Sequence, residues 1–329
     1  MSISQPLVSV IIVNWNGKKW LKKCLDSLRS QTYKNFEIVF VDNASSDDSI
    51  AYVEKNYPEV LIVRSDTNLG FACGNNIGIK KSSGDLLLFL NTDTWVESDF
   101  LEELVDLYIS NNFVAVGPLE AAYETGLKRK PYTSTIDLFG WPVYRPTNEV
   151  GIIESFYLTG VCFLTSKEFY LRSGGLDDDY FMYSEEVDWF WRLQLLGEKC
   201  AYTSVAYVYH AGCGSGSKGV QYTTFLWRNQ NTLQMLLKNY TWYNLLWVLP
   251  IYLIQNIFEF LAFLLLLKPK IAWSYVEGWC FNAMNICKIF RKRKIIQKRR
   301  ETSDFEIIMK MFFGFGKLYS LFQKVFPNK

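Results

Sequence analysis

The hydrophobic pattern of the chain is organised around residues 86–95, Leu-Leu-Leu-Phe-Leu-Asn-Thr-Asp-Thr-Trp. The apolar run follows the turn-like Ser82-Ser83-Gly84-Asp85 and stops abruptly at Asn91-Thr92-Asp93. This predicts a strand buried on both faces that delivers polar groups at its C-terminal end, the edge where open α/β sheets hold their ligands. Upstream the same logic repeats. Residues 7–13, 36–41 and 61–63 read as strands and end in Asn14-Trp15-Asn16-Gly17, a polar run from Asp42 to Asp48, and Asp66-Thr67-Asn68-Leu69-Gly70. Between them lie helical spacing through Leu21, Cys24, Leu25 and Leu28, a helix starting near residue 47, and a helix-like stretch holding Asn75, Asn76, Ile77 and Gly78. A helix over 98–109 and a strand over 113–116 follow. Such alternation across short connections predicts an α/β fold with right-handed crossovers and a mostly parallel sheet.

Residues 120–150, rich in Tyr, Thr, Pro and Arg, show no sustained period and read as an ordered loop over a site or an irregular surface excursion. Order returns with a strand over 157–164, a short helix over 166–171 ended by Gly174-Gly175, and a helix for which Ser184 is the predicted N-cap. Glu185, Glu186 and Asp188 fall in its first turn, where exposed backbone N–H groups favour carboxylates. Asp188 also stands four residues before Arg192, the spacing of a helix ion pair. A strand over 201–209 leads into His210, the chain's only histidine, and a glycine-rich segment to Gly219.

From Tyr222 the pattern changes. Residues 226–237 look helical, and 245–267 are nearly continuously apolar, long enough to cross a hydrocarbon core of about 30 Å at roughly 1.5 Å per residue. Pro250, Gln255, Asn256 and Glu259 inside that run are costly at mid-bilayer unless they face a partner helix or the interface. Lys268 and Lys270 close it, a weaker apolar segment follows over 271–287, and Arg291–Lys294 with Lys298–Arg300 forms a basic patch. Residues 305–326 can form an amphipathic helix. Basic charge beside apolar elements is the arrangement expected of attachment to an anionic membrane on its cytoplasmic face, peripherally or through the hydrophobic helices. A helical interface with another protein is the alternative, and a homo-oligomer stays open.

Composition narrows this little. A formal charge of +2 over 329 residues excludes a generally basic nucleic-acid protein, while the 49% hydrophobic and 17% aromatic shares are concentrated late in the chain. Seven cysteines without a Cys-x-x-Cys pair read as free thiols of a reducing compartment. The N-terminus shows no secretory leader and runs straight into a strand.

The strand-end clusters predict a polar ligand bound across one sheet edge. Neither a dinucleotide glycine fingerprint nor a Gly-x-x-x-x-Gly-Lys loop is present, so a divalent cation, Mg²⁺ or Mn²⁺, is the natural partner for a diphosphate, with Asp93 as ligand and His210 completing the site. As an ordered set, 8–17 with Leu21, Cys24, Leu25 and Gln31, 41–47, Asn68-Leu69-Gly70-Phe71 with Asn75, Asn76 and Gly78, Asn91-Thr92-Asp93, Thr159-Gly160, Phe181-Met182-Tyr183 with 185–188, and His210 resemble the inverting GT-A glycosyltransferases of family 2, particularly the rhamnosyltransferase-like branch.

The resemblance covers residues 7 to about 240 closely, and the apolar and basic tail is similar to tails in that branch. It implies a nucleotide-sugar-binding half over 1–118, an acceptor-binding and catalytic half over 119–221, and a helical membrane-associated region over 222–329. It places Asp42 and the backbone near Asn14 at the nucleotide base, with Asn68 and Asn75 completing that pocket. Asn91-Thr92-Asp93 matches the Asp-x-Asp element, with Asn91 in place of the first acid, and His210 matches a metal or diphosphate contact. Glu186 matches the catalytic base, although the family pair is Glu-Asp where this chain has Glu-Glu; Glu185 and Asp188 are the alternatives. The implied activity is metal-dependent transfer from dTDP-rhamnose or a UDP-hexose to a glycan or lipid-linked glycan. A membrane scaffold with a degenerate transferase domain is the alternative from another class.

Overall fold

The structure, a computed structural model, describes residues 5–212 and 221–325. The glycine-rich stretch expected to follow His210 therefore lies largely outside the described residues. The chain divides into two compact units, one built from the described residues within 1–133, 146–181 and 199–217, the other from those within 134–145, 182–198 and 218–329.

The first unit begins with β1 (Val8–Asn14), α1 (Lys18–Arg29), β2 (Phe36–Asp42), α2 (Ser49–Asn56), β3 (Leu61–Arg64), α3 (Gly70–Lys81) and β4 (Leu86–Leu90). β4 is buried at every position, as its unbroken apolar run demands. α1 buries Leu21, Cys24, Leu25 and Leu28, the i, i+3, i+4, i+7 set that makes one face. α3 instead presents small residues to the sheet. A Cβ at Gly74 would stand 2.7 Å from Val13, and one at Gly78 would stand 2.7 Å from Val41. The glycines let this helix lie close against β1 and β2.

There follow β5 (Thr94–Val96), α4 (Phe100–Ser110), β6 (Ala115–Ala122), β7 (Tyr132–Ile136), β8 (Pro142–Pro146), β9 (Ile152–Ser155), β10 (Cys162–Ser166), α5 (Lys167–Ser173), α6 (Glu185–Leu195) and β11 (Cys200–His210). The main sheet runs β3-β2-β1-β4-β10-β6-β11-β5, with β9 on β11. β1 to β4 pair in parallel as expected, but β10 is antiparallel to both β4 and β6, and β5 is antiparallel to β11. The sheet is thus mixed. Its parallel half reads clearly in the sequence because helices separate the strands; β10 and β5 are three to five residues long and carry no such spacing signal. Phe89 of β4 stacks on Phe163 of β10 with centroids 4.2 Å apart, sealing the junction between the halves of the sheet.

Two further expectations are corrected. The stretch 120–150 is not a loop: β6 continues to Ala122, and β7 pairs with β8 in a two-stranded sheet. Its short strands alternate too little to show a period. Ser184 does precede α6, but its φ of 67° is left-handed and its side chain makes no capping bond.

The second unit contains α6 and the helices α7 (Tyr222–Asn239), α8 (Trp242–Leu265), α9 (Pro269–Met284), α10 (Ile286–Arg299), α11 (Asp304–Met309) and α12 (Gly316–Val325). Part of the basic patch serves the fold. Arg293 is buried and donates to the carbonyls of Leu237 and Tyr240 at 2.5 Å, closing the C-terminus of α7. The six cysteines among the described residues are free thiols.

Candidate functional site

In the first unit the ends of β1 and β2 form one polar corner. Asn14 Nδ2 donates to Asp42 Oδ1 at 3.2 Å and to Ser45 Oγ at 3.0 Å, while Asp42 Oδ2 accepts from the Ser45 N–H. Parallel register explains the meeting, since Asn14 lies opposite Asp42 at the last pair of the ladder. Asn14 Oδ1 is buried with no hydrogen-bond partner among the described residues. A Cβ at Gly17 would come within 2.3 Å of it, so glycine keeps this acceptor clear. A buried acceptor left unpaired costs roughly 1–3 kcal/mol and calls for a donor from elsewhere.

The neighbouring turn is held by Asn43, which the sequence pattern does not single out. Its Nδ2 donates to Asn68 Oδ1 at 2.9 Å and to the Gly70 carbonyl at 3.0 Å, and its Oδ1 accepts from the Leu69 N–H. Asn68 also accepts from the Gly70 N–H, so its side chain builds the turn. Gly70 is required there: φ is +78°, and a Cβ would meet the Phe181 carbonyl oxygen at 2.1 Å. Asn75 is buried and donates back to the Phe71 carbonyl inside α3.

At the end of β4, Asn91 donates its backbone N–H to Val161 and accepts from Thr94 Oγ1, while its half-buried carboxamide has no hydrogen bond to another described residue. Two residues on, Asp93 Oδ1 lies 3.3 Å from His210 Nε2. The antiparallel pairing of β5 with β11 brings them together, with His210 opposite Thr94. A further acid joins them. Glu120 on β6 is buried, stands 3.8 Å from His210 Nδ1, and pairs with Arg129 at 3.2 Å. Periodicity gives no hint of Glu120; only the parallel ladder of β6 and β11 puts it beside the histidine.

Burial alone would lower the His210 pKa, but Asp93 and Glu120 outweigh it and raise the group to about 9. Burial likewise works against ionised Glu120, yet His210 and Arg129 hold its pKa below the usual value. Among the described residues no cluster of three His, Cys, Asp or Glu side chains is arranged to enclose a metal. The donor chemistry nevertheless fits a divalent ion at Asp93 and His210. Mg²⁺ and Mn²⁺ accept oxygen donors with imidazole, and Mg²⁺ in particular keeps several positions for water and phosphate oxygens.

In the second unit the three acids of α6 have separate fates. Asp188 is fully buried; Arg192 Nε lies 3.0 Å from its Oδ2, Lys238 Nζ 3.1 Å from its Oδ1, and Asn239 Nδ2 donates to Oδ1 at 3.1 Å. These bonds tie α6 to the C-terminal end of α7. Glu185 is also buried, and Oε2 has no hydrogen-bond partner among the described residues; burial and then the Glu186 charge push its pKa well up. Glu186 is half-buried.

The entry to α6 is strained. Tyr183 and Ser184 both have positive φ, 71° and 67°, conformations that non-glycine residues rarely hold. Asn231 on α7 donates to the carbonyls of Met182 and Tyr183 at 2.9 and 2.7 Å and fixes this turn. The Arg228 guanidinium lies 4.8 Å from the Tyr183 ring centroid.

Comparison with known proteins agrees with this architecture. Among curated relatives, glycosyltransferase GlyA of Streptococcus pneumoniae is 36% identical over 100 residues, covering 30% of this chain and 14% of that protein. The low-salt glycan biosynthesis hexosyltransferase Agl10 of Haloferax volcanii is 27% identical over 192 residues, 56% of this chain and 61% of that one. The matched stretches thus span less than two thirds of the length of either relative. Of solved structures, GalNAc-T7 with UDP, GalNAc and Mn²⁺ superposes with a TM-score of 0.61 at 18% identity, covering 71% of this chain and 48% of that one. The mannosyltransferase PcManGT of Pyrobaculum calidifontis with GDP-Man and Mn²⁺ gives 0.53 at 16% identity, covering 87% and 76%. The family model for glycosyl transferase family 2 matches residues 9–174, about half of the chain. With its mixed α/β sheet of the GT-A type, the chain belongs to glycosyl transferase family 2.

Proposed function

We propose that this protein is a metal-dependent, inverting glycosyltransferase that moves a sugar from a nucleoside diphosphate sugar to a hydroxyl of a glycan or lipid-linked glycan. The observation that carries the reading is the meeting of Asp93 with His210, beyond the same sheet edge that holds the Asn14–Asp42 corner. The corner takes the nucleotide base, with Asn14 Oδ1 as an acceptor for a base N–H. Asn91 supplies a neutral hydrogen-bonding group for the ribose. The turn built by Asn43 and Asn68, with Asn75 behind it, bounds the nucleotide pocket.

Asp93 and His210 hold the divalent ion, which when bound neutralises charge gathering on the departing diphosphate. Mn²⁺ in the solved structures of the two similar enzymes supports this assignment. Glu186 is the acid assigned to the acceptor proton. Asp188 is committed to Arg192, Lys238 and Asn239, and the Glu185 carboxyl is buried with its pKa pushed well up by burial and then by the Glu186 charge, which favours half-buried Glu186 as the base. The acceptor oxygen then attacks the anomeric carbon opposite the leaving diphosphate, and one displacement inverts the configuration. Resemblance to the rhamnosyltransferase-like branch favours dTDP-rhamnose over a UDP-hexose as donor.

The chain works against the cytoplasmic face of a membrane. α8 is long and apolar enough to cross one, and most of its apolar length is not buried within the protein, unlike a core helix. A thermal-shift screen of nucleotide sugars with and without Mn²⁺ tests the reading, because a ligand that binds the native state raises its melting temperature. A Mn²⁺-dependent rise with dTDP-rhamnose or a UDP-hexose is expected. No rise with any donor contradicts it.

A further inference from the structure

We infer that α8 lies in the plane of an anionic membrane as a one-sided docking ridge and does not cross it. The inference rests on the membrane association proposed above and is independent of sugar transfer.

The helix has two unlike faces. Leu245, Val248, Tyr252 and Asn256 form its buried stripe, spaced three or four residues apart. Further along, Gln255 Nε2 donates to Glu259 Oε1, Tyr275 Oη donates to Glu259 Oε2 at 2.5 Å, and Lys317 Nζ pairs with Glu259 at 2.7 Å. Tyr275 belongs to α9 and Lys317 to α12, so one flank of α8 is part of a folded helical unit. The opposite face carries Leu246, Ile254, Phe258, Leu261 and Leu265, with exposures from 47% to 84%.

A crossing helix would have to draw the Glu259–Lys317 pair, Gln255 and Asn256 into hydrocarbon, along with the helices packed on it. Ionisable groups there are costly. Lying flat, α8 puts only its apolar face into the acyl boundary and keeps the polar flank on the protein side. The charge pattern fits the same placement. Lys268 and Lys270 are exposed just beyond its C-terminal end. At its N-terminal end Trp242 and Tyr243 border a groove also lined by Lys294 and Lys298, with the Phe290 ring edge-on to Trp242 at 5.5 Å. Over roughly 36 Å of helix at 1.5 Å per residue, cations thus stand near both ends of α8, and aromatic rings suited to the interface stand beside one of them. The occupant that matches is a leaflet of anionic phospholipid.

The test uses the full chain and sealed vesicles of phosphatidylcholine, with or without phosphatidylglycerol. Flotation with the anionic vesicles is expected, at least tenfold weaker on neutral ones, and about tenfold weaker for Phe258→Glu and for the Lys268→Glu/Lys270→Glu pair. Separately, Tyr243→Cys and Leu267→Cys are each made with Cys73, Cys213, Cys280 and Cys287 changed to Ser, and bound protein is treated with a membrane-impermeant maleimide. Both positions are expected to label from outside. Absence of flotation overturns the membrane reading as well as the inference, whereas flotation with one end protected behind the bilayer overturns only the in-plane placement. Light scattering that shows a dimer dispersed by Phe258→Glu, without flotation, gives the face to a second copy and also overturns it. Melting curves for each variant check that the fold is retained.

Discussion

His210 Nε2 stands 3.3 Å from Asp93 Oδ1, although 117 positions of chain separate them (210 − 93). The pairing is made by the antiparallel ladder of β5 and β11, a strand contact of three residue pairs. It is the relationship on which the proposed ion site depends.

His210→Ala should leave the strand ladder in place while removing one of two ligands. The expected outcome is a Mn²⁺ requirement for donor-induced stabilisation that rises at least tenfold, read by thermal shift across a Mn²⁺ titration. An unchanged requirement would take His210 out of the ion site.

The three acids of α6 give distinct predictions. Glu186→Gln should keep donor-induced stabilisation and lose transfer by about 10²–10⁴-fold, the range typical of removing a general base. Glu185→Gln replaces a buried carboxyl whose pKa burial pushes well up, and turnover should stay within a few-fold of normal. The reverse result, measured as nucleoside diphosphate release, would move the base to Glu185.

Asp188→Ala leaves Arg192 and Lys238 buried without their shared carboxylate. Breaking a buried charge network in this way costs about 3–5 kcal/mol, so the melting temperature should drop steeply whatever the effect on donor affinity. A stable, inactive Asp188→Ala protein would argue for a direct chemical role instead.

Asp137 introduces a pH dependence of stability. It accepts backbone N–H bonds from Phe139, Trp141 and Gly316, but its burial outweighs these bonds and Lys317 and raises its pKa from 3.8 to about 6. The folded state therefore binds the proton more tightly than the unfolded chain. This contribution is fully present below about pH 4 and is lost as pH rises through about 6, amounting to about 3 kcal/mol at roughly 1.4 kcal/mol per unit. In Asp137→Asn, denaturant titrations from pH 4 to 6 should show that component gone; an unaltered slope would contradict it.

Legibility in the sequence followed the length and spacing of the elements. β1 to β4 are marked by apolar runs and separated by helices, so Asn14, Asp42, Asn68, Asn91 and Asp93 could be placed at strand ends from pattern alone. Glu120 could not, because it lies in β6 only if that strand continues past Val116, and its neighbour His210 is set by a ladder between distant segments. Asn43 and Asn231 act through backbone carbonyls and amides of turns, and a hydrogen bond to a turn leaves no periodic trace. Asp188 reads as a helix ion pair with Arg192, which is present, while Lys238 and Asn239 complete the network from a helix 50 residues away by the Asp188–Lys238 spacing.

The central claim is sugar transfer at a site built on Asp93. Its most direct measurement is nucleoside diphosphate release by the purified chain, with Mn²⁺, from dTDP-rhamnose and UDP-hexoses, comparing wild type with Asp93→Asn. Metal-dependent release from at least one donor, reduced at least 10²-fold by Asp93→Asn with its melting curve still cooperative, is the predicted result. Release that is equal in Asp93→Asn, or absent with every donor and acceptor glycan supplied, would contradict it.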